Sequence, residues 1–425
     1  MGALPSRPRK RAEGVTQPSA RLRRLPAYAA GLAVLSLLFV TSGCTEPTDA
    51  AAKPGTSAST ESDEATESAE RAPAVVSMDP PLGTSRFAPM TPVTIFAGNG
   101  TLTEVVILDP EGDAVSGTLS ADATKWQATE LLDYATSYDV TATAANASGE
   151  VTAATGNIST LTPRTFTMPY LLPSQSMDSV GVGMPIVVRF DEDIEDRAVV
   201  ERRLAVTTTP PVVGAWSWFG DREVHYRPQN HWNPGTHVVV DVNVYGVNVG
   251  GDIYGEENQH LEFDIHDSLV AKVDNDDLTL RVYRNGALER AMPTSMGKSG
   301  FSTPSGTYLV MQQDRRYTMD SSTYGTPIDD PEGYRLEVEY ASRLSYSGIF
   351  VHAAPWSVGD QGLRNVSHGC LNLSTADAGY FYENFGWGDI VQVTGTGVSL
   401  QVTNGLGDWN IPWEEWILGS ALPDP

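Results

Sequence analysis

Two short stretches decide how this chain is read: Gly348-Ile349-Phe350-Val351-His352-Ala353-Ala354-Pro355-Trp356 and Ser367-His368-Gly369-Cys370-Leu371-Asn372, with fourteen residues between His352 and Ser367. The first begins as an apolar strand that ends on a histidine. The second holds one of only two cysteines in 425 residues. A lone cysteine is either a small buried hydrophobe or a nucleophile. Its neighbours favour the nucleophile. A thiol needs a base or an electropositive setting to react as thiolate, and His352 can supply the base. Gly369 allows a tight turn and close approach of substrate. Such a turn can aim successive N–H groups at a developing oxyanion.

The sequence around these stretches reads as a mostly β domain. Leu278–Arg284 and Ala287–Ala291 flank Asn285-Gly286, a type I′ hairpin signal. Further strands are expected at Gly306–Met311, Gly348–His352 and Asp389–Thr394. One helix is expected from Ser374 to Phe385, with Ser374 as N-cap and Asp377 three residues on. The stretch from Met311 to Ser347 is rich in Gly, Pro and Tyr. It fits a lid over a site, or else a plain hairpin insertion.

Upstream, 73–163 shows short alternating runs with turn signals and no helical stripe, as in a small β-sandwich. A second unit, 164–266, carries clear strands at Pro185–Phe190 and Thr236–Val242. The two share a weak repeat, since Trp126 precedes Tyr138 by the interval that separates His225 from His237. Two immunoglobulin-like modules in tandem follow from this pattern, with one large sandwich as the alternative. The catalytic unit is placed at 267–396. Residues 397–425 form a C-terminal extension whose Trp409, Trp413 and Trp416 are expected to pack on the neighbouring module.

The first 43 residues carry seven basic side chains and one acid, and Leu25–Gly43 is uncharged. A basic start, a short apolar core and small residues at the end make an export signal. Thr41-Ser42-Gly43-Cys44 resembles the lipobox of bacterial lipoproteins, which implies lipidation of Cys44 and a membrane anchor. An uncleaved transmembrane anchor is the alternative, since 19 uncharged residues can just span. Residues 44–72 hold no large apolar side chain and are expected to form a disordered tether. The net charge of −25 argues against nucleic acid as partner. The two cysteines exclude a disulfide scaffold. His225, His231 and His237 lie six residues apart without the spacing of a metal site. No metal and no cofactor are expected.

The pattern of His352, a 14-residue gap and Ser-His-Gly-Cys-Leu-Asn resembles the catalytic signature of the YkuD-type L,D-transpeptidases. Thr303-Pro304-Ser305-Gly306-Thr307-Tyr308, Met292–Lys298, Met319–Gly325 and Gly405–Trp413 resemble mycobacterial and related actinobacterial members. The resemblance implies peptidoglycan stem peptides as substrates, donor tetrapeptide and acceptor stem alike. Cysteine attacks the diaminopimelate carbonyl, D-Ala leaves, and an amine of the second stem resolves the thioester into a 3→3 cross-link. It also implies acylation by carbapenems. Cys370 is then the nucleophile and His352 the proton carrier, oriented by the Ala353 backbone carbonyl where close relatives carry Ser. His368, Gly369 and Cys370 line the oxyanion hole with the Tyr334 hydroxyl, although His368 can equally be structural. Met319, Trp356, Ser367 and Asn372 line the substrate site. Sortases and NlpC/P60 peptidases pair Cys and His in other spacings or orders. The remaining readings are a stem-trimming L,D-carboxypeptidase and a non-catalytic wall-binding lipoprotein.

Overall fold

The computed structural model describes residues 72–423. The export signal, Cys44 and the tether up to residue 71 lie outside the described residues.

Strand alternation builds the first sandwich. In Ser137–Ala145 every second side chain (Tyr138, Val140, Ala142, Ala144) is buried, and Ile95, Ile107, Trp126 and Ile158 meet them from neighbouring strands. One sheet runs in the order Val75–Asp79, Thr94–Gly98, Lys125–Ala128, Gly117–Leu119. The other runs Thr101–Leu108, Ser137–Ala145, Val151–Ser159.

The second sandwich repeats that plan. Its first sheet runs Pro169–Leu172, Ile186–Phe190, Glu223–Pro228, Gly214–Phe219. Its second holds Leu204–Thr209, His237–Val242 and Gln259–Ile265, with Ser179–Val180 added at the edge. Trp126 pairs with Ile95 and His225 pairs with Val187, so the weak sequence repeat falls on equivalent strands.

The third unit is also mainly β. A five-stranded sheet runs Ala287–Pro293, Thr279–Arg284, Leu269–Asp274, Ile390–Thr394, Gly306–Leu309. A four-stranded sheet runs Gln312–Asp320, Arg335–Arg343, Phe350–Ala353, Leu371–Leu373. Asn285 and Gly286 sit at φ 48° and 80°, as a type I′ turn requires. The helix Thr375–Asn384 starts at Ser374, whose hydroxyl accepts from the Asp377 N–H at 3.1 Å. Phe381 and Phe385 stack at 4.0 Å beneath it and enter the core with Val351, Leu371 and Val391.

The change of sheet near Asp267 is not a break in the apolar core. Leu309, Met311, Ile390 and Leu406 belong to the same buried cluster as Val188, Trp232 and Phe263. Gly181 and Gly183 permit this closeness, because a Cβ there would stand 2.3 Å from the Asp389 nitrogen and 2.5 Å from a Leu309 methyl. The chain end then returns to the second sandwich. Trp409 Nε1 donates to Gly183 O at 2.6 Å and Trp416 Nε1 to Ala215 O at 2.9 Å. The Arg227 guanidinium lies over the rings of Trp409, Trp413 and Trp416 at 4.6, 5.4 and 4.5 Å. His225 bonds Glu223 of its own strand at 2.8 Å and Asp408 of the returning chain at 2.6 Å.

Candidate active site

The site follows from one parallel strand pair. Phe350–Ala353 runs beside Leu371–Leu373, with His352 opposite Asn372 and Val351 opposite Leu371. With a side-chain period of two, Phe350, His352, Cys370 and Asn372 share one face. The crossover between the strands carries Trp356 on a short 3₁₀ turn, Pro355–Ser357. A cavity of about 200 Å³ opens there, lined by Met319, Tyr334, Leu336, His352, Trp356, Val366, Ser367, His368, Cys370 and Asn372. Eight of the ten residues named from sequence line it. Gly369 and Ala353 do not, and Leu336 and Val366 are additions.

His352 is buried and bonds the Ala353 carbonyl through Nδ1 at 2.9 Å. That bond places the proton on Nδ1 and leaves Nε2 as an acceptor. Burial lowers the imidazole pKa to about 4, against a smaller opposite push from the Ala353 carbonyl. Burial also pushes the Cys370 thiol up to about 11, offset in part by the Phe350 backbone and the Arg343 charge. The resting pair is therefore neutral thiol and neutral imidazole. Cys370 Sγ approaches the Gly348 carbonyl at 3.5 Å and makes no hydrogen bond to His352.

The turn before Cys370 is locked by side chains. Ser367 Oγ donates to Cys370 O at 2.7 Å and accepts from the Gly369 N–H at 3.1 Å. Gly369 adopts φ 119°, a conformation open to glycine and costly for other residues. Thr303 Oγ1 donates to Gly369 O at 2.8 Å and accepts from Gly297 N–H at 2.9 Å. The Gly369 N–H and the Ser367 hydroxyl thus both hold the turn from within. The Cys370 N–H bonds no protein group among the described residues. Asn372 Nδ2 donates to Ser357 Oγ at 3.1 Å and so fastens the crossover.

Both readings of 311–347 contain part of the answer. Its strands Gln312–Asp320 and Arg335–Arg343 are integral to the sheet, while the tip, 321–334, brings Tyr334 to the cavity. The Tyr334 phenol is half-buried and raised to about 12, chiefly by burial, so it stays a proton donor. Its ring lies 5.1 Å from that of His368. Trp356 stays 58% exposed at the rim, 6.0 Å from the His352 ring.

Two family models match the chain: a bacterial Ig domain over residues 84–248 and the L,D-transpeptidase catalytic domain over 268–393. Over 331 residues the sequence is 46% identical to L,D-transpeptidase 2 of Mycobacterium tuberculosis, covering 78% of this chain and 81% of that one. The chain belongs to the L,D-transpeptidase family. It is also 33% identical to L,D-transpeptidase 5 of the same species over 346 residues, 79% of this chain and 75% of that one. A solved structure of an L,D-transpeptidase in complex with imipenem aligns with 53% of this chain and 97% of its own, at 35% identity and a TM-score of 0.46.

Sequence reasoning missed several residues of this transpeptidase that support the cavity wall from behind. Lys298, Phe301 and Glu332 surround His368: Glu332 Oε2 lies 2.8 Å from His368 Nε2, and Phe301 packs its ring 4.6 Å from the imidazole. Thr303 lies in a segment noted only for its resemblance. Its contact with Gly369 spans 66 residues and leaves no local pattern.

Proposed function

We propose that this L,D-transpeptidase forms 3→3 cross-links between diaminopimelate residues of two peptidoglycan stems, with Cys370 as nucleophile and His352 as proton carrier. The observation that carries the assignment is the His352 Nδ1 bond to the Ala353 carbonyl beside a buried Cys370 in one cavity. With thiol and imidazole both neutral at rest, deprotonation accompanies attack. Sγ adds to the donor carbonyl while its proton passes to His352 Nε2. The tetrahedral oxyanion is met by the Cys370 N–H and the Tyr334 hydroxyl. Its collapse breaks the peptide bond, and His352 returns the proton to the departing D-Ala amine. The acceptor amine then attacks the thioester, gives a proton to His352, and expels Cys370, which takes that proton back. Met319, Trp356, His368 and Asn372 shape the walls. Export through residues 1–43 and a lipid on Cys44 would hold the enzyme at the outer face of the membrane, with 44–72 as tether. Cys44→Ala should then release the protein from the membrane fraction without changing its catalysis.

The deciding experiment is mass analysis of products from a purified disaccharide-tetrapeptide. The expected result is a 3→3 dimer with release of D-Ala and trapping of Cys370 by a carbapenem, both abolished by Cys370→Ala. Tripeptide without dimer would establish the carboxypeptidase reading. Turnover by Cys370→Ala would overturn the mechanism.

A further inference from the structure

The hairpin tip over the site is closed mostly on itself. Asp320 Oδ1 accepts from Ser322 N–H at 3.0 Å, Ser321 Oγ from Tyr334 N–H at 2.9 Å, and Asp330 Oδ1 from Glu332 N–H at 2.9 Å. Beyond its own hairpin, the tip's polar bonds among the described residues converge on one atom, Glu332 Oε2. It accepts from Lys298 Nζ at 2.5 Å and from His368 Nε2 at 2.8 Å.

The two donors form one post, because Lys298 N–H donates to Ser367 O at 2.9 Å and so ties its segment to the turn that carries His368. Phe301 steadies that post: Lys298 Nζ lies 5.3 Å from its ring centre and the His368 ring packs edge-on at 4.6 Å. Tyr334 follows Glu332 by two residues and lays its ring, tilted, 5.1 Å from that of His368. Lys298 first, and then His368, hold the Glu332 carboxyl below the usual carboxylate range, so it is an ionised acceptor at neutral pH.

We propose that Glu332 is a positioning residue that latches the tip onto the Lys298–His368 post and thereby sets Tyr334 above Cys370. His368 is then the docking point of the lid and has no part in proton transfer. Stem peptides enter when the latch parts and are enclosed when it re-forms. The enclosing step rests on the transpeptidase reading, whereas the latch itself does not.

The test uses the full chain with Glu332→Ala, Lys298→Ala, Lys298→Arg and the double alanine variant. Three quantities are read: the rate of Cys370 alkylation by iodoacetamide at 0.1 and 1 M salt, KM and kcat for a tetrapeptide donor, and the melting temperature. An exposed two-partner ion pair of this kind supports changes of about three- to fivefold. Glu332→Ala should speed alkylation by about that factor and raise KM similarly, with kcat less affected and melting unchanged. High salt should speed alkylation of the native chain and leave the variant unmoved, because screening parts the latch in one and finds nothing to part in the other. Lys298→Arg should behave as native, and the double variant no worse than Glu332→Ala. Alkylation indifferent to both Glu332→Ala and salt would overturn the latch, even with turnover normal. Alkylation that responds as stated without any peptide turnover would support the latch and count against the transpeptidase reading.

Discussion

Replacing Asp408 by Asn should loosen the junction between the second sandwich and the catalytic domain. His225 lies there almost fully buried between Asp408 and Glu223, with Phe219 packed on its ring at 4.3 Å. Burial opposes its charge, but Asp408 and then Glu223 overcome that and raise its pKa from 6.5 to about 9. The folded value exceeds the unfolded one. The stabilisation is therefore complete below about pH 6.5 and is lost as pH rises through about 9. A shift of that size corresponds to about 3 kcal/mol. Asp408→Asn removes the larger of the two attractions and leaves a buried imidazole half-paired, so a loss of about 3 kcal/mol at pH 7 is expected. For a cooperative unit of this size that is roughly 6–12 °C in melting temperature. Scanning calorimetry of native and variant chains at pH 7 and pH 10 measures it, and the difference should shrink at pH 10, where His225 is neutral in both. A variant melting within about 2 °C of native at pH 7, or a gap that widens toward pH 10, would refute the reasoning.

Ala353→Ser should change the carbapenem acylation rate by less than about threefold, because the orienting acceptor is a backbone carbonyl that any residue supplies; a gain of tenfold or more would show that the side chain matters. Thr303→Val strands the Gly297 N–H and Gly369 O in a buried turn, for a cost of about 1–3 kcal/mol, and acylation should slow with it; unchanged acylation would mean the turn keeps its shape without Thr303. A chain starting at Arg164 should stay folded and keep acylation within about twofold, since the first sandwich meets the second mainly through the Tyr134 hydroxyl and ring and a Tyr245 bond. Loss of acylation on small soluble stems would reveal a role for that module.

Local chemistry was readable wherever one segment carried the whole instruction. Asn285-Gly286 specifies its own turn, Ser374 with Asp377 specifies a helix start, and period-two alternation in Ser137–Ala145 specifies a half-buried strand. His352 and Cys370 were legible because a strand end and a glycine turn each leave a signature. What stayed hidden depends on partners far along the chain. Glu332 reads as one more acid in a polar loop until Lys298 and His368 stand beside it. Asp408 gives no hint of a histidine 183 residues away. The two bonds by which the Ser367 hydroxyl braces its own turn leave no mark in the sequence.

The returning C-terminal segment has a consequence for the order of events as the chain is made. Contacts between Asp408 and His225, and between Trp416 and Ala215, join points about two hundred residues apart. They cannot close until the end of the chain has been made, and such distant closures slow folding. Until then the second sandwich presents an apolar face with the Arg227 guanidinium uncovered. Premature termination before Trp416 would thus leave more than a shortened tail: it would expose a sticky, positively charged seam, the kind of surface that quality-control proteases and neighbouring unfolded chains find first.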